Sequence, residues 1–135
     1  MAKSIESIEG VGPKMGDAFR GAGIRTVDDL LTAGADKKAR KQLAETTGIG
    51  ETRLLNFVNM ADLFRINGVA SQYAELLEGA GVDTVKELKH RNAQNLADKM
   101  EEVNTSKNLV RRTPSVKVVQ SWISQASKLP PVVTY

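Results

Sequence analysis

The chain reads as an all-α protein of about eight short helices, arranged in two pseudo-equivalent halves packed as one compact body. Three observations lead there. First, IEGVGPKMGDAFRGAGIRTVDDL (residues 8–30) aligns without gaps on INGVASQYAELLEGAGVDTVKEL (residues 66–88) at an offset of 58, with nine of 23 positions identical. Such self-similarity marks a duplicated structural unit. Second, helix caps and glycine stops recur at that offset, and apolar residues between them fall at helical spacing. Third, no strand-like alternation of useful length occurs outside the terminal VVTY.

Each copy divides into four helices. Pro13 suits the first turn of a helix running to about Ala22, because the N–H it lacks would have no partner there, and Gly23 supplies a left-handed stop. Thr26 and Thr84 then cap second helices that end near Gly34 and Arg91; Asp29 and Glu87, three residues on, complete a capping-box pattern in each copy. Asp36 and Asn92 cap the third helices, in which Ala39 with Leu43 and Leu96 with Met100 share a face, and Gly48 ends the first of them. The fourth helices have the strongest apolar faces: Leu54, Leu55, Val58 and Ala61 in one copy, and Val119, Trp122, Ile123 and Ala126, capped by Ser115, in the other. A looser match sets Leu54, Phe57 and Val58 against Val119, Trp122 and Ile123 at an offset of 65. The seven extra residues are expected as a loop around 104–112.

This pattern predicts a first repeat unit over 1–64, a second over 65–129 continuous with it, and an extended tail over 130–135. Pro130 and Pro131 forbid helix in that tail, which reads as a frayed end, a docking strand or a short peptide ligand. The expected core is Val11, Phe19, Val27, Leu30, Leu43, Leu54 and Val58 in the first copy, with Val69, Leu77, Val85, Leu88, Val119, Trp122 and Ile123 in the second.

Composition narrows the function. With 135 residues, 41% hydrophobic and 26% charged, the chain is long enough for one real core. The absence of cysteine excludes disulfides, thiol nucleophiles, iron–sulfur clusters and cysteine-ligated zinc. No apolar run exceeds two residues, so a membrane span and a signal-peptide core are excluded and a soluble, cytoplasmic protein is expected. Nineteen Lys and Arg stand against 16 Asp and Glu, and a net charge of +3 is a weak field. Local basic clusters occur at Lys37, Lys38, Arg40 and Lys41, and at Lys107, Arg111, Arg112 and Lys117, as solvated faces or phosphate contacts.

Catalysis finds no constellation. His90 is the sole histidine, in KELKHRN, where it suits a helix end, and carboxylates such as Asp28-Asp29 and Glu101-Glu102 serve caps and faces. No catalytic residue, metal cluster or cofactor motif is predicted; Gly10-x-Gly12 follows no strand and lacks the third glycine of a dinucleotide fingerprint. Phe19, Phe57, Phe64, Tyr73 and Trp122 fall on apolar helix faces and read as core rather than base-stacking platforms.

The segment Ile8-Glu9-Gly10-Val11-Gly12-Pro13-Lys14 resembles the helix-hairpin-helix motif, an apolar residue between two glycines leading into a helix. Positive φ and close backbone approach at the glycines let successive N–H groups point at one spot, which suits a phosphate. Val11 would plug the helix pair and Lys14 would add charge. Of the other turns, Gly48-Ile49-Gly50 is followed by Glu51, Gly68-Val69-Ala70 lacks the second glycine and a lysine, and Thr113-Pro114-Ser115 has no hairpin glycine. The whole of residues 4–129 is similar to a tandem of helix-hairpin-helix, SAM-like units, and to a family of unknown function called DUF4332, through the IEGVG hairpin followed by GI-x-T-x-x-DL. The wider superfamily implies sequence-independent binding of nucleic-acid backbone, and it also supplies protein-binding modules.

Two functions are therefore expected as alternatives, both non-enzymatic. One holds nucleic-acid backbone at Gly10, Val11, Gly12 and Lys14, helped by Arg20 and Arg25 and by patches at Lys37, Lys38, Lys41, Arg111, Arg112 and Lys117. The other is an adaptor for an unidentified protein, through the tail or the inserted loop.

Overall fold

The computed structural model describes residues 3–135. Among them, eight α-helices follow a 3-10 turn at Ile5–Ser7: α1 (Pro13–Gly21), α2 (Val27–Ala33), α3 (Lys37–Thr47), α4 (Glu51–Leu63), α5 (Ser71–Gly79), α6 (Val85–Leu88), α7 (Ala93–Lys107) and α8 (Val116–Lys128). The fold is all-helical, and an isolated bridge between Ser4 and Thr26 is the sole β-type pairing among these residues. Two compact units result. One takes in the chain up to Asp62 together with Val132–Tyr135, and the other runs from Leu63 to Pro131.

The repeat read from sequence is a repeat in geometry. Val11 N–H donates to the Ile8 carbonyl at 3.1 Å and Val69 N–H to Ile66 at 3.1 Å. Each pair closes a four-residue turn whose third position, Gly10 or Gly68, has φ of +93° or +96°, which a side chain resists. Both following helices end in a Schellman motif, with Gly23 donating to Arg20 and Ile24 to Phe19 in one, and Gly81 to Glu78 and Val82 to Leu77 in the other. Thr26 and Thr84 accept from the amides of Asp29 and Glu87 at 3.1 and 3.3 Å. The reciprocal half of the capping box forms at Asp29, which accepts from Arg25 and Thr26. In α6, a single turn of four residues, the threonine half alone forms.

In the first unit α3 packs against α1 and α2, while the 3-10 turn lies on α1 and α2. In the second, α7 lies against α5 and α8, and α6 against α8. All fourteen residues expected in the core are buried, and Ile5, Ile8, Leu63, Ile66, Leu96 and Met100 join them. The loop expected over 104–112 starts later. Residues 104–107 continue α7, which stops at Asn108 in the left-handed conformation (φ 50°). Asn104 then clamps the loop from within the helix: its side chain accepts from Val110 N–H at 2.9 Å and donates to Val110 O at 3.0 Å.

Candidate functional site

The turn before α1 is the first place where the backbone is left with hydrogen bonds to give. The first intrahelical bond runs from Gly16 N–H to Gly12 O, and the N-cap, Gly12, has no side chain to cap with. Among the described residues the amides of Gly12, Lys14 and Met15 meet no acceptor. Helices α2, α3, α6, α7 and α8 differ, each accepting a side-chain cap from Thr26, Asp36, Thr84, Asn92 or Ser115. The first turn of α1 itself holds no acid, the Glu6 carboxylate over Gly16 being paired with Arg20, and exposed Lys14 puts a cation at the positive end of the helix dipole. A bound anion would satisfy the amides and relieve that repulsion.

The two glycines of the turn do different work. Gly10 has positive φ, and a Cβ on it would lie 3.3 Å from the Phe57 ring. Gly12 is ordinary extended backbone (φ −87°, ψ −176°). A Cβ there would meet nothing within 4 Å, so its bareness leaves open space at the helix end. Val11 is buried, as a plug should be.

Phe57 is the floor of the turn. It packs edge-on to Phe19, with ring centroids 6.3 Å apart at 71°, and the Arg53 guanidinium stands 5.7 Å from its centroid. Arg53 is thus an exposed cation sharing with Gly10 the surface of one ring, and the sequence reading missed it. The available signal was its spacing, four residues before Phe57 on α4.

Other expected site residues are placed elsewhere. Arg20 sits in the last turn of α1 and is bonded to Glu6 at 2.8 Å and Asp17 at 2.6 Å; Asp17 first, then Glu6, raises its pKa. Glu6 in turn lies over Gly16, where a Cβ would be 2.9 Å from its Cγ, so Arg20 fastens the 3-10 turn to α1. Arg25 follows α1, so the nine-residue helix, about 13 Å long, separates it from the turn, whereas Arg20 lies within that helix with its guanidinium engaged by Asp17 and Glu6. Lys37, Lys38 and Lys41 are exposed on α3, but Arg40 is withdrawn from that cluster: it is 4% exposed and bonds Gly34 O and Ala35 O at the end of α2. Arg111, Arg112 and Lys117 are exposed in the second unit, where the Tyr73 hydroxyl donates to Arg112 O at 3.2 Å.

The equivalent turn of the second unit is built alike and offers different chemistry. Ala70 replaces the second glycine as N-cap of α5, again without a side-chain bond. Trp122 takes the place of Phe57, its Nε1 3.2 Å from where a Gly68 Cβ would stand. The residue is 3% exposed, and its indole N–H meets no acceptor among the described residues. Trp122, Tyr73, Ala97, Pro114, Val116 and Val118 line a groove of about 610 Å³, with Asp98, Glu101 and Arg112 at its polar edges. Among the described residues no cluster of three His, Asp or Glu could hold a metal ion, and no helix is long and apolar enough to cross a membrane.

A family model described as a domain of unknown function, DUF4332, matches residues 9–129. No curated protein and no solved structure matches the chain.

Proposed function

The chain belongs to the DUF4332 family, and we propose that it is a helix-hairpin-helix module that holds nucleic-acid backbone, weakly and without reading sequence, at Gly10–Lys14. The observation that carries this reading is the uncapped start of α1: three amides without acceptors, Lys14 beside them, and clear space over Gly12. Arg53 on the Phe57 ring adds a second cation to the same turn. Phosphate contacts of this kind fix position on a duplex and ignore its bases. With two cations at the turn, affinity is modest and falls as salt rises, because each phosphate neutralised releases a counterion. Arg20 is assigned to structure in this reading.

The test is electrophoretic mobility or fluorescence anisotropy with unrelated duplexes at low salt. Gly12→Val closes the approach to the amides and Lys14→Glu repels phosphate, so both weaken binding, while substitution of Ala70 changes it little. A folded sample that binds neither duplex nor single strand at low salt overturns the proposal. The groove of the second unit favours the other reading, an adaptor for a protein partner, because it presents Val116 and Val118 exposed beside an unused indole donor. Loss of groove-dependent partner capture on Val118→Asp, with DNA binding absent, is the result that would select it.

A further inference from the structure

Val132–Tyr135 belongs to the first unit, although α8, which it follows, belongs to the second. Pro130 and Pro131 stop the helix and hold the approach extended. The Thr134 amide donates to Ala35 O at 2.8 Å, and its carbonyl accepts from Arg40 Nη2 at 2.7 Å. One residue is thereby gripped through both backbone groups, as at the edge of a strand, in a manner that needs a free N–H and ignores the side chain. Tyr135 reaches on to Asn59, its hydroxyl 3.4 Å from Oδ1, and borders a cavity of about 270 Å³ with Thr52 and Leu55.

Arg40 makes the slot depend on an occupant. Its buried guanidinium bonds Gly34 O at 2.9 Å and Ala35 O at 3.1 Å through Nη1, and Thr134 O through Nη2; no carboxylate is among these partners. Without the segment, Arg40 Nη2 loses its acceptor and the Ala35 carbonyl loses the Thr134 donor, leaving both for water or for another extended backbone to take.

We propose that this slot is a receptor for an extended peptide, and that the Val132–Tyr135 segment of a second copy fills it in trans when the resident segment leaves. A second copy brings the same backbone groups and the same tyrosine to the same donor and acceptor, so exchange loses no contact. The proposal is independent of nucleic-acid binding.

The test uses a fluorescent LPPVVTY peptide and the full chain carrying Thr134→Pro, which removes the resident N–H. The peptide is expected to bind that variant roughly tenfold more tightly than the unsubstituted chain, where the resident segment competes at high effective concentration. Unlabelled LPPVVTY displaces it, and the same peptide with proline in place of its threonine does not. No binding to the variant at millimolar peptide, or equal displacement by the proline peptide, overturns the proposal. If Thr134→Pro unfolds the first unit, excess peptide on the unsubstituted chain must accelerate hydrogen exchange at the Thr134 amide; unchanged exchange overturns it equally.

Discussion

At Gly10 the backbone is left-handed and a Cβ would press on Phe57, whereas at Gly12 it is extended and a Cβ is free. Gly10→Ala should cost about 1–2 kcal/mol from backbone handedness alone. Gly12→Ala, which only exchanges one N-cap without a side-chain acceptor for another, should cost less than about 1 kcal/mol. Urea titration of both variants checks the pair, and equal losses would mean that Gly12 is constrained too. A second residue, Glu78 in the last turn of α5, carries a pH signature. Burial, then the charge of Asp83, raises its pKa, and Lys107 opposes them in part. A raised folded pKa means that the fold tolerates the protonated acid better than the carboxylate. Its contribution is full below the unfolded pKa, about 4.3, and is lost as pH rises through the folded value. Glu78→Gln should therefore raise the urea midpoint at pH 7, with the gain over the unsubstituted chain shrinking as pH falls through the folded value and gone below about 4. Identical midpoints at pH 7 would show that the environment of Glu78 costs nothing.

Helices α2 and α3 meet at a corner that Arg40 closes, since its guanidinium takes the carbonyls of Gly34 and Ala35 just past the end of α2. A cation at that end also suits the dipole. Arg40→Met keeps the stem's bulk but strips acceptors of their donors, and should cost about 2–3 kcal/mol. Lys41→Ala, one residue on and exposed, should change stability by less than about 0.5 kcal/mol. Thermal denaturation distinguishes them; matched midpoints would return Arg40 to the surface cluster in which its sequence neighbours place it. The same contrast holds among helix starts. Five of the helices bring their own caps, and α1 and α5, the two that follow the duplicated turns, do not.

Duplication shapes the molecule at the largest scale: the same turn rests on an aromatic ring in each unit, Gly10 on Phe57 and Gly68 beside Trp122. Trp122 also packs against Tyr73 at 5.6 Å between centroids. Trp122→Ala should empty this site at about 3–5 kcal/mol. A near-unchanged denaturation midpoint would mean that the second unit does not depend on the ring, and that Trp122 is kept for a ligand.

Helix number, caps, stops and core faces were legible because each is written over a few neighbouring residues: Thr26 with Asp29, Gly23 after its helix, Val119 with Trp122 and Ile123. The offset of 58 also carried the turn geometry, since a positive φ at Gly10 and Gly68 follows from local backbone sterics. What could not be read lies in pairings between distant segments. Arg20 and Arg40 look like free cations until Glu6, fourteen residues away, and Thr134, 94 residues away, claim their guanidinium groups. Arg53 looks unremarked until α4 folds its ring beneath the turn of residues 8–11. A charged side chain's partner is chosen by desolvation and hydrogen-bond geometry in three dimensions, and those come into being when the chain closes on itself.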